Sequence, residues 1–291
     1  GQIMDILGIP ESILPRLVDC SGVLGSSRVL DNVPVASVIA DQQASLFSIG
    51  GVGSGVAKMT NGTGTFIDVN VGPSPVPAMK GTYPMVAVKC GDVVRYLVEG
   101  IVQSTGSSFD WLRDIGLIDD PSEVSEMAFS VEDCFGVVFV PTFAGIGSPY
   151  WFNDVRGCVF GLSRGVRREH IVRALVEGIA FRLADVILLV EEVSGIRIER
   201  IFADGNASSS DALLQFTADF SGRKVCRVSN LEGSSRGAFL LARSAIENIS
   251  VEDAWISPTI DRVFEPRRGL LYERDYWRRG LDACFYFHGL R

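Results

Sequence analysis

Four short segments carry residue types that could handle a hydroxylated or phosphorylated ligand. Asp41 directly follows a strand-length apolar run at residues 33–40 and precedes the helix-like stretch 42–47. A carboxylate beyond a strand end sits where α/β folds bind ligands, and near a substrate hydroxyl it can act as a general base. The plainer reading is a helix cap. Gly62-Thr63-Gly64 follows Asn61 in a hairpin-type turn. Two glycines around a hydroxyl let backbone N–H groups and Oγ1 approach an anion; the plainer reading is a type I′ turn. Asp204-Gly205-Asn206 closes a strand and opens a helix, a setting suited to phosphate or ribose. Its plainer reading is a βα turn with Ser208, Ser209 and Ser210 as caps. The loop Gly145-Ile146-Gly147-Ser148-Pro149-Tyr150-Trp151 reads, after Gly147, as an aromatic-anchored surface loop.

The elements that must position these segments follow from patterning. Residues 5–18 predict a short helix and a second one begun by proline. Residues 48–55 are a glycine-rich connector. Runs at 56–60 and 65–71 predict a hairpin across Asn61-Gly62, residues 72–84 a loop, residues 86–98 a second hairpin pair, and residues 106–112 the start of a helix. Residues 136–143 predict a buried strand. Residues 169–192 form the longest helix, with Ile171, Leu175, Ile179, Leu183, Val186 and Ile187 down one side. A strand at 198–203, helices at about 208–220 and 234–247, and an amphipathic C-terminal helix at 271–287 anchored by Trp277 and Phe285 complete the pass.

Composition narrows the class. The chain has 291 residues, 47% hydrophobic and 21% charged, the profile of a packed globular protein. Its net charge of −8 opposes nucleic-acid binding, which needs a basic surface, and docking on anionic lipid. No stretch approaches the apolar length of a membrane span. The six cysteines are Cys20, Cys90, Cys134, Cys158, Cys226 and Cys284. None forms a CxxC or short zinc spacing, so they read as reduced, mostly buried thiols of a cytoplasmic protein. With two histidines only, a His-centred triad or His-rich metal site is not expected, and no metal ligand is assigned.

Order and spacing say more than any single segment. The series Ala40-Asp41-Gln42-Gln43-Ala44, Asn61-Gly62-Thr63-Gly64-Thr65-Phe66, Trp111-Leu112-Arg113-Asp114, Val140 through Trp151, residues 157–165, Ala203-Asp204-Gly205 and Gly237-Ala238 resembles the glycerol kinase branch of the FGGY carbohydrate kinase family, nearly end to end. The resemblance implies an α/β, actin/hexokinase-type (ribonuclease-H-like) ATPase fold. It implies the C-terminal domain of a two-domain kinase: residues 1–50 a remnant of the N-terminal domain, residues 51–291 the ATP-binding domain. Carried over by position, Asp41 is the catalytic base. Asp41, Gln42 and Phe66 line the glycerol pocket. Gly62, Thr63, Gly64, Gly106, Asp110, Gly205, Asn206 and Ser210 belong to the ATP site. The implied reaction is ATP- and Mg2+-dependent phosphorylation of glycerol to glycerol 3-phosphate, in a protein with room for a homo-oligomer.

Departures from the family pattern are specific. Asn206 stands where a second glycine is usual, Asp110 where a glutamine is usual, and Ser210 where an asparagine is expected. They bear on nucleotide affinity more than on fold. The family's first phosphate hairpin, its magnesium-associated aspartate and its remaining glycerol ligands lie in an N-terminal domain not seen here, and the chain begins with glycine. The expectation is therefore a part of a longer kinase, with the apolar faces of its first residues exposed. Two alternatives stay open: another FGGY sugar kinase, and a non-catalytic nucleotide-binding remnant.

Overall fold

The computed structural model describes residues 2–267 and 271–290, with the side chains of 271–273 outside that description. The chain opens with α1 (Gln2–Leu7) and a single 3-10 turn at Glu11–Ile13. The second helix expected within 5–18 is absent there, because Pro10 and Pro15 bracket too few residues to propagate one. Strands β1 (Ser21–Ser27) and β2 (Val33–Ser37) pair antiparallel. Helix α2 (Asp41–Gly50) follows and takes the first part of the expected connector at 48–55.

The body is built from β3 (Ala57–Asn61), β4 (Thr65–Gly72), β5 (Tyr83–Cys90), β6 (Val93–Val102), α3 (Gly106–Asp114), α4 (Val124–Phe129), β7 (Val138–Val140), β8 (Cys158–Phe160), α5 (Arg168–Ser194), β9 (Arg200–Asp204), α6 (Asp211–Ser221), β10 (Lys224–Val228), α7 (Gly233–Glu247), α8 (Val251–Ala254), β11 (Ile260–Phe264) and α9 (Leu271–Phe287). Both expected hairpins and all the long helices form. The strand expected over 136–143 shrinks to β7, although Val137 through Thr142 stay buried.

Seven strands make one sheet in the order β11-β10-β9-β3-β4-β6-β5. Its centre is an antiparallel run, β6-β4-β3, continued by β9 and β10 parallel to β3. This is the ribonuclease-H-like layer that the family resemblance implies. Alternation divides the sheet's faces. Met59, Ile67, Val69 and Val98 are 0% exposed and form one core with Leu175, Ile179, Leu183 and Val186 of α5. The opposite face carries Lys58, Thr60, Asp68, Glu99 and Asp204, and α2 packs over it. The glycine-rich loop after β7 serves packing, as expected. Tyr150 stacks edge-on against Phe285, and the Trp151 indole donates to the Gly81 carbonyl at 2.7 Å. Trp277 and Phe285 are buried anchors of α9. All six thiols are free, but only Cys226 and Cys284 are buried, so the expectation of mostly buried thiols is corrected. The other four lie at strand ends and loops, where packing is incomplete.

Candidate active site

Three backbone turns far apart in sequence meet at one cleft of about 790 Å³. The β3–β4 turn supplies Gly62 and Thr63, α3 supplies Gly106 at its start with Asp110 and Arg113 further along, and the β9–α6 turn supplies Asp204, Gly205, Asn206 and Ser210. Gly233 and Ser234, at the start of α7, close another side.

The first turn is held from its carbonyl side. The N–H groups of Thr105 and Ser107 donate to the Thr63 carbonyl at 2.9 and 3.2 Å, and the Gly106 N–H donates to the Gly62 carbonyl at 2.9 Å. Anchoring the carbonyls to α3 leaves the Thr63 side chain exposed at the cleft. None of residues 61–64 has a positive φ, so the type I′ turn is ruled out; three loop residues, Gly62 to Gly64, span the strands instead. Gly64 does not line the cleft. A Cβ there would lie 2.7 Å from the Val102 carbonyl oxygen, so its role is close approach of the turn to β6.

The second turn is formed by Gly205 at φ 81°, a left-handed conformation that a side chain would strain. A Cβ on Gly205 would also fall 2.6 Å from the Asn61 carbonyl oxygen. Asn206 itself needs no positive φ. It opens the 3-10 turn Asn206–Ser209 and faces solvent. Ser210 is committed locally: its hydroxyl accepts from the Leu213 N–H as the N-cap of α6 and contacts the Ser125 hydroxyl at 3.0 Å.

Asp110, the carboxylate in place of the usual glutamine, is paired with Arg113 one turn along α3, at 3.1 Å. The Asp114 carboxylate also holds the Arg113 guanidinium and keeps its pKa above the usual value. The cleft therefore carries a standing cation beside Asp110, which patterning alone did not single out. Asp120, on the same rim, is held below the usual carboxylate range by the Ser122 hydrogen bond.

Asp41 lies at the mouth and is not part of the lining. It begins α2, and its Oδ1 accepts the Gln42 N–H at 2.8 Å. The Ser234 hydroxyl donates to the Asp41 carbonyl at 2.8 Å. One helical turn on, the Ser45 hydroxyl donates to Asp204 Oδ2 at 2.6 Å. Both contacts fix α2 against cleft-lining residues. Beneath it, Lys58 Nζ donates to Gln42 Oε1 at 2.5 Å and to Thr60 Oγ1 at 2.7 Å, and pairs with Asp68 at 2.9 Å. The Thr60 hydroxyl donates to Asp204 Oδ1 at 2.5 Å. Phe66 sits opposite Thr60 in the β3–β4 register and so shares this face. Asp41 and Gln42 thus lie on α2 and Phe66 on the sheet face it covers, all three outside the lining that the turns supply.

Sequence reasoning missed the buried charges under this face. Lys58 and Asp68 are 0% exposed and Glu99 is 6% exposed. Burial and the Asp68 charge push Glu99 up to about 8, and burial also raises Asp68. Both carboxyls are thus pushed toward their protonated forms, against the pull of the Lys58 charge. The signal was present in the hairpin register, which sets Lys58 across from Asp68 and Asp68 across from Glu99.

Chemically, the cleft offers the start of α7 at Gly233 and Ser234, where the helix dipole favours anions, and the exposed Thr63 side chain; the first N–H groups of α3 are already taken by the Gly62 and Thr63 carbonyls. The exposed carboxylates Asp110, Asp120 and Glu232 are hard oxygen ligands fit for a hydrated divalent cation carried in with a polyphosphate. Both Asp204 oxygens are already taken by hydroxyls. The volume lies within the ordinary range of small-molecule sites.

Known proteins resemble this chain in sequence and fold. Residues 57–246 match the FGGY family of carbohydrate kinases, C-terminal domain. An uncharacterized sugar kinase of Archaeoglobus fulgidus is 39% identical over 96% of this chain and 55% of its own length. A glycerol kinase of Halothermothrix orenii is 36% identical over 97% of this chain and 58% of its own length. The crystal structure of Plasmodium falciparum glycerol kinase with ADP matches with a TM-score of 0.87 at 29% identity, covering 98% of this chain and 59% of that one. A xylulose kinase from Rhodospirillum rubrum, at 22% identity and a TM-score of 0.79, shares the fold over 98% of this chain and 59% of that one. This chain therefore spans a little over half the length of the relatives it matches. The turns, the sheet order and these matches agree on one conclusion: the chain belongs to the FGGY family of carbohydrate kinases.

Proposed function

We propose that this chain supplies the nucleotide-binding side of an ATP-dependent kinase that phosphorylates glycerol to glycerol 3-phosphate. The convergence of Gly62, Thr63, Gly106, Gly205 and Asn206 on one cleft, with α2 fastened across its mouth through Asp204 and Ser234, is the observation that carries it. Likeness to glycerol kinases supports glycerol over other polyols. In this reading residues 1–50 belong with the portion of the relatives that the chain does not span, and residues 51–291 form the nucleotide domain.

The roles follow from position. Gly62 and Thr63 hold phosphate oxygens, with Thr63 Oγ1 as a donor. Gly106 and Gly205 let backbone approach the nucleotide, and Asn206 faces its nucleoside end. Asp110 stays beside the phosphates because Arg113 balances its charge. Ser210 shapes the pocket by capping α6. Gln42 and Phe66 border the polyol. Asp41 takes the proton of the attacking hydroxyl as the new O–P bond forms and the bond to ADP breaks. Mg2+, bound with the nucleotide, would neutralise developing charge on the transferring phosphoryl group. In-line positioning supplies the remainder.

The test measures thermal stabilisation by Mg-ATP and ADP release with glycerol and with xylulose. Stabilisation together with glycerol-dependent turnover supports the proposal, and preference for xylulose moves it to another FGGY substrate. Asp41→Asn should lower turnover by roughly 10²–10⁴-fold and leave nucleotide stabilisation unchanged. Thr63→Val should raise the KM for ATP. A second reading, nucleotide binding without transfer, is favoured by the placement of Asp41 outside the cleft lining. ATP-dependent stabilisation with no turnover on any polyol would select it.

A further inference from the structure

Cys158, Cys284 and His288 bring their ligand atoms within 4.8 Å of one another. None of the three lines the nucleotide cleft. Cys284 is fully buried on α9, and His288 follows one turn later, its N–H bonded to the Cys284 carbonyl at 3.2 Å. The C-x3-H spacing therefore presents a thiol and an imidazole on one side of the helix end. Cys158 begins β8, where it pairs with Val140 of β7.

These groups crowd around a single backbone carbonyl. The Cys284 thiol, the Cys158 thiol and His288 Nε2 approach the Arg156 oxygen at 3.5, 3.7 and 3.2 Å. His288 Nε2 also accepts the Arg156 N–H at 3.1 Å, so all three groups meet at the Arg156 backbone. Beside the Cys284 sulfur, within reach of that thiol, lies the Thr142 hydroxyl, 2% exposed. This buried hydroxyl faces the same cluster.

We propose that Cys158, Cys284 and His288 form a zinc-type metal site that fastens the C-terminal helix α9 to β8. Two sulfurs and an imidazole nitrogen match the ligands of a borderline-soft, tetrahedral cation, not of Mg2+ or Ca2+. The fourth position is left to an oxygen ligand, with the Thr142 hydroxyl on hand to hold a water there. Binding one divalent ion releases one proton from each thiol, and the two thiolates cancel the ion's charge. The site is structural, because its ligands bridge two elements and touch no part of the cleft. Sequence spacing could not show it, since Cys158 comes from a separate strand.

Cobalt(II) is the probe. The reduced, metal-free chain is titrated with Co2+ and then with Zn2+. The expected result is one Co2+ per chain, with thiolate-to-cobalt charge transfer in the near ultraviolet and intense tetrahedral bands in the red. Zn2+ should displace it and raise the Tm. Cys158→Ser and Cys284→Ser should abolish the charge-transfer signature, and His288→Gln should weaken binding by at least about tenfold. His288 is only partly buried, so His288→Gln keeps the test valid if a cysteine variant misfolds. Cys134→Ser, a thiol elsewhere, should change nothing. A weak octahedral cobalt spectrum, or tetrahedral bands that persist in Cys158→Ser, would overturn the site. So would a reduced chain that takes up no cobalt but readily forms a Cys158–Cys284 disulfide on oxidation, since the pair would then be a redox bridge.

Discussion

Residues 2–40 and the body from β3 to β11 use similar apolar residues to opposite effect. In the first region Ile6, Leu17 and Val29 are 82, 95 and 92% exposed, and Ala36 is its one buried apolar side chain among the described residues. In the body, Leu183, Ile179 and Ile67 are fully buried in a continuous core. Helix α5 finds a sheet face to cover, whereas the β1–β2 pair turns one side to α7 through Ser21 and Ser37 and leaves the other uncovered. Two strands alone cannot bury a face. Hydrophobic residues record that something should be covered, and only the fold records whether it is.

The contrast can be broken in the body first. Leu183→Ala removes a fully buried side chain and should cost about 2–5 kcal/mol in urea unfolding. A loss under about 1 kcal/mol would mean that the α5 contact is not the core. Gly237→Ala should come next, at about 3 kcal/mol, the upper part of the overpacking range. Its Cβ would lie 1.8 Å from the Ala44 carbonyl oxygen, so α7 and α2 must separate. Because α2 carries Asp41, nucleotide-dependent turnover should fall with stability, and normal turnover would detach α2 from the site.

The buried charges sharpen the comparison through pH. Glu99 is raised from an ordinary 4.5 to about 8. Its folded form thus holds a proton that the unfolded chain releases, so its contribution to stability is full below about pH 4.5, declines as pH rises to about 8, and then levels. Glu99→Gln should flatten that decline while leaving the fold intact. An unchanged pH profile would show that Glu99 is not the proton carrier. The smallest effect belongs to the first region. Leu17→Ser should shift stability by no more than about 0.5 kcal/mol but reduce binding of an apolar dye. A large destabilisation would mean that Leu17 is covered after all.

Much of the fold was legible because local periodicity and turn chemistry act over short stretches. The β3–β4 hairpin, the 27-residue helix α5 and the strand–Asp41–helix transition all follow from such rules. The sites of Asp41, Thr63 and Gly205 were visible as motifs for the same reason. The second helix within 5–18 was misread because prolines interrupt a run too short to propagate. The turn at Gly62 was misread because the pull of α3 on its carbonyls, not the Asn-Gly pair, sets its conformation.

By itself, then, the sequence determined the order of elements, their buried faces and the family motifs, since each depends on residues a few positions apart. Only the tertiary structure decided that Lys58, Asp68 and Glu99 share one buried network, and that Cys158 meets Cys284 and His288. Those outcomes depend on which strand lies beside which, and on the low dielectric that follows from burial. Both are properties of the packed chain, set by contacts between residues tens to more than a hundred positions apart.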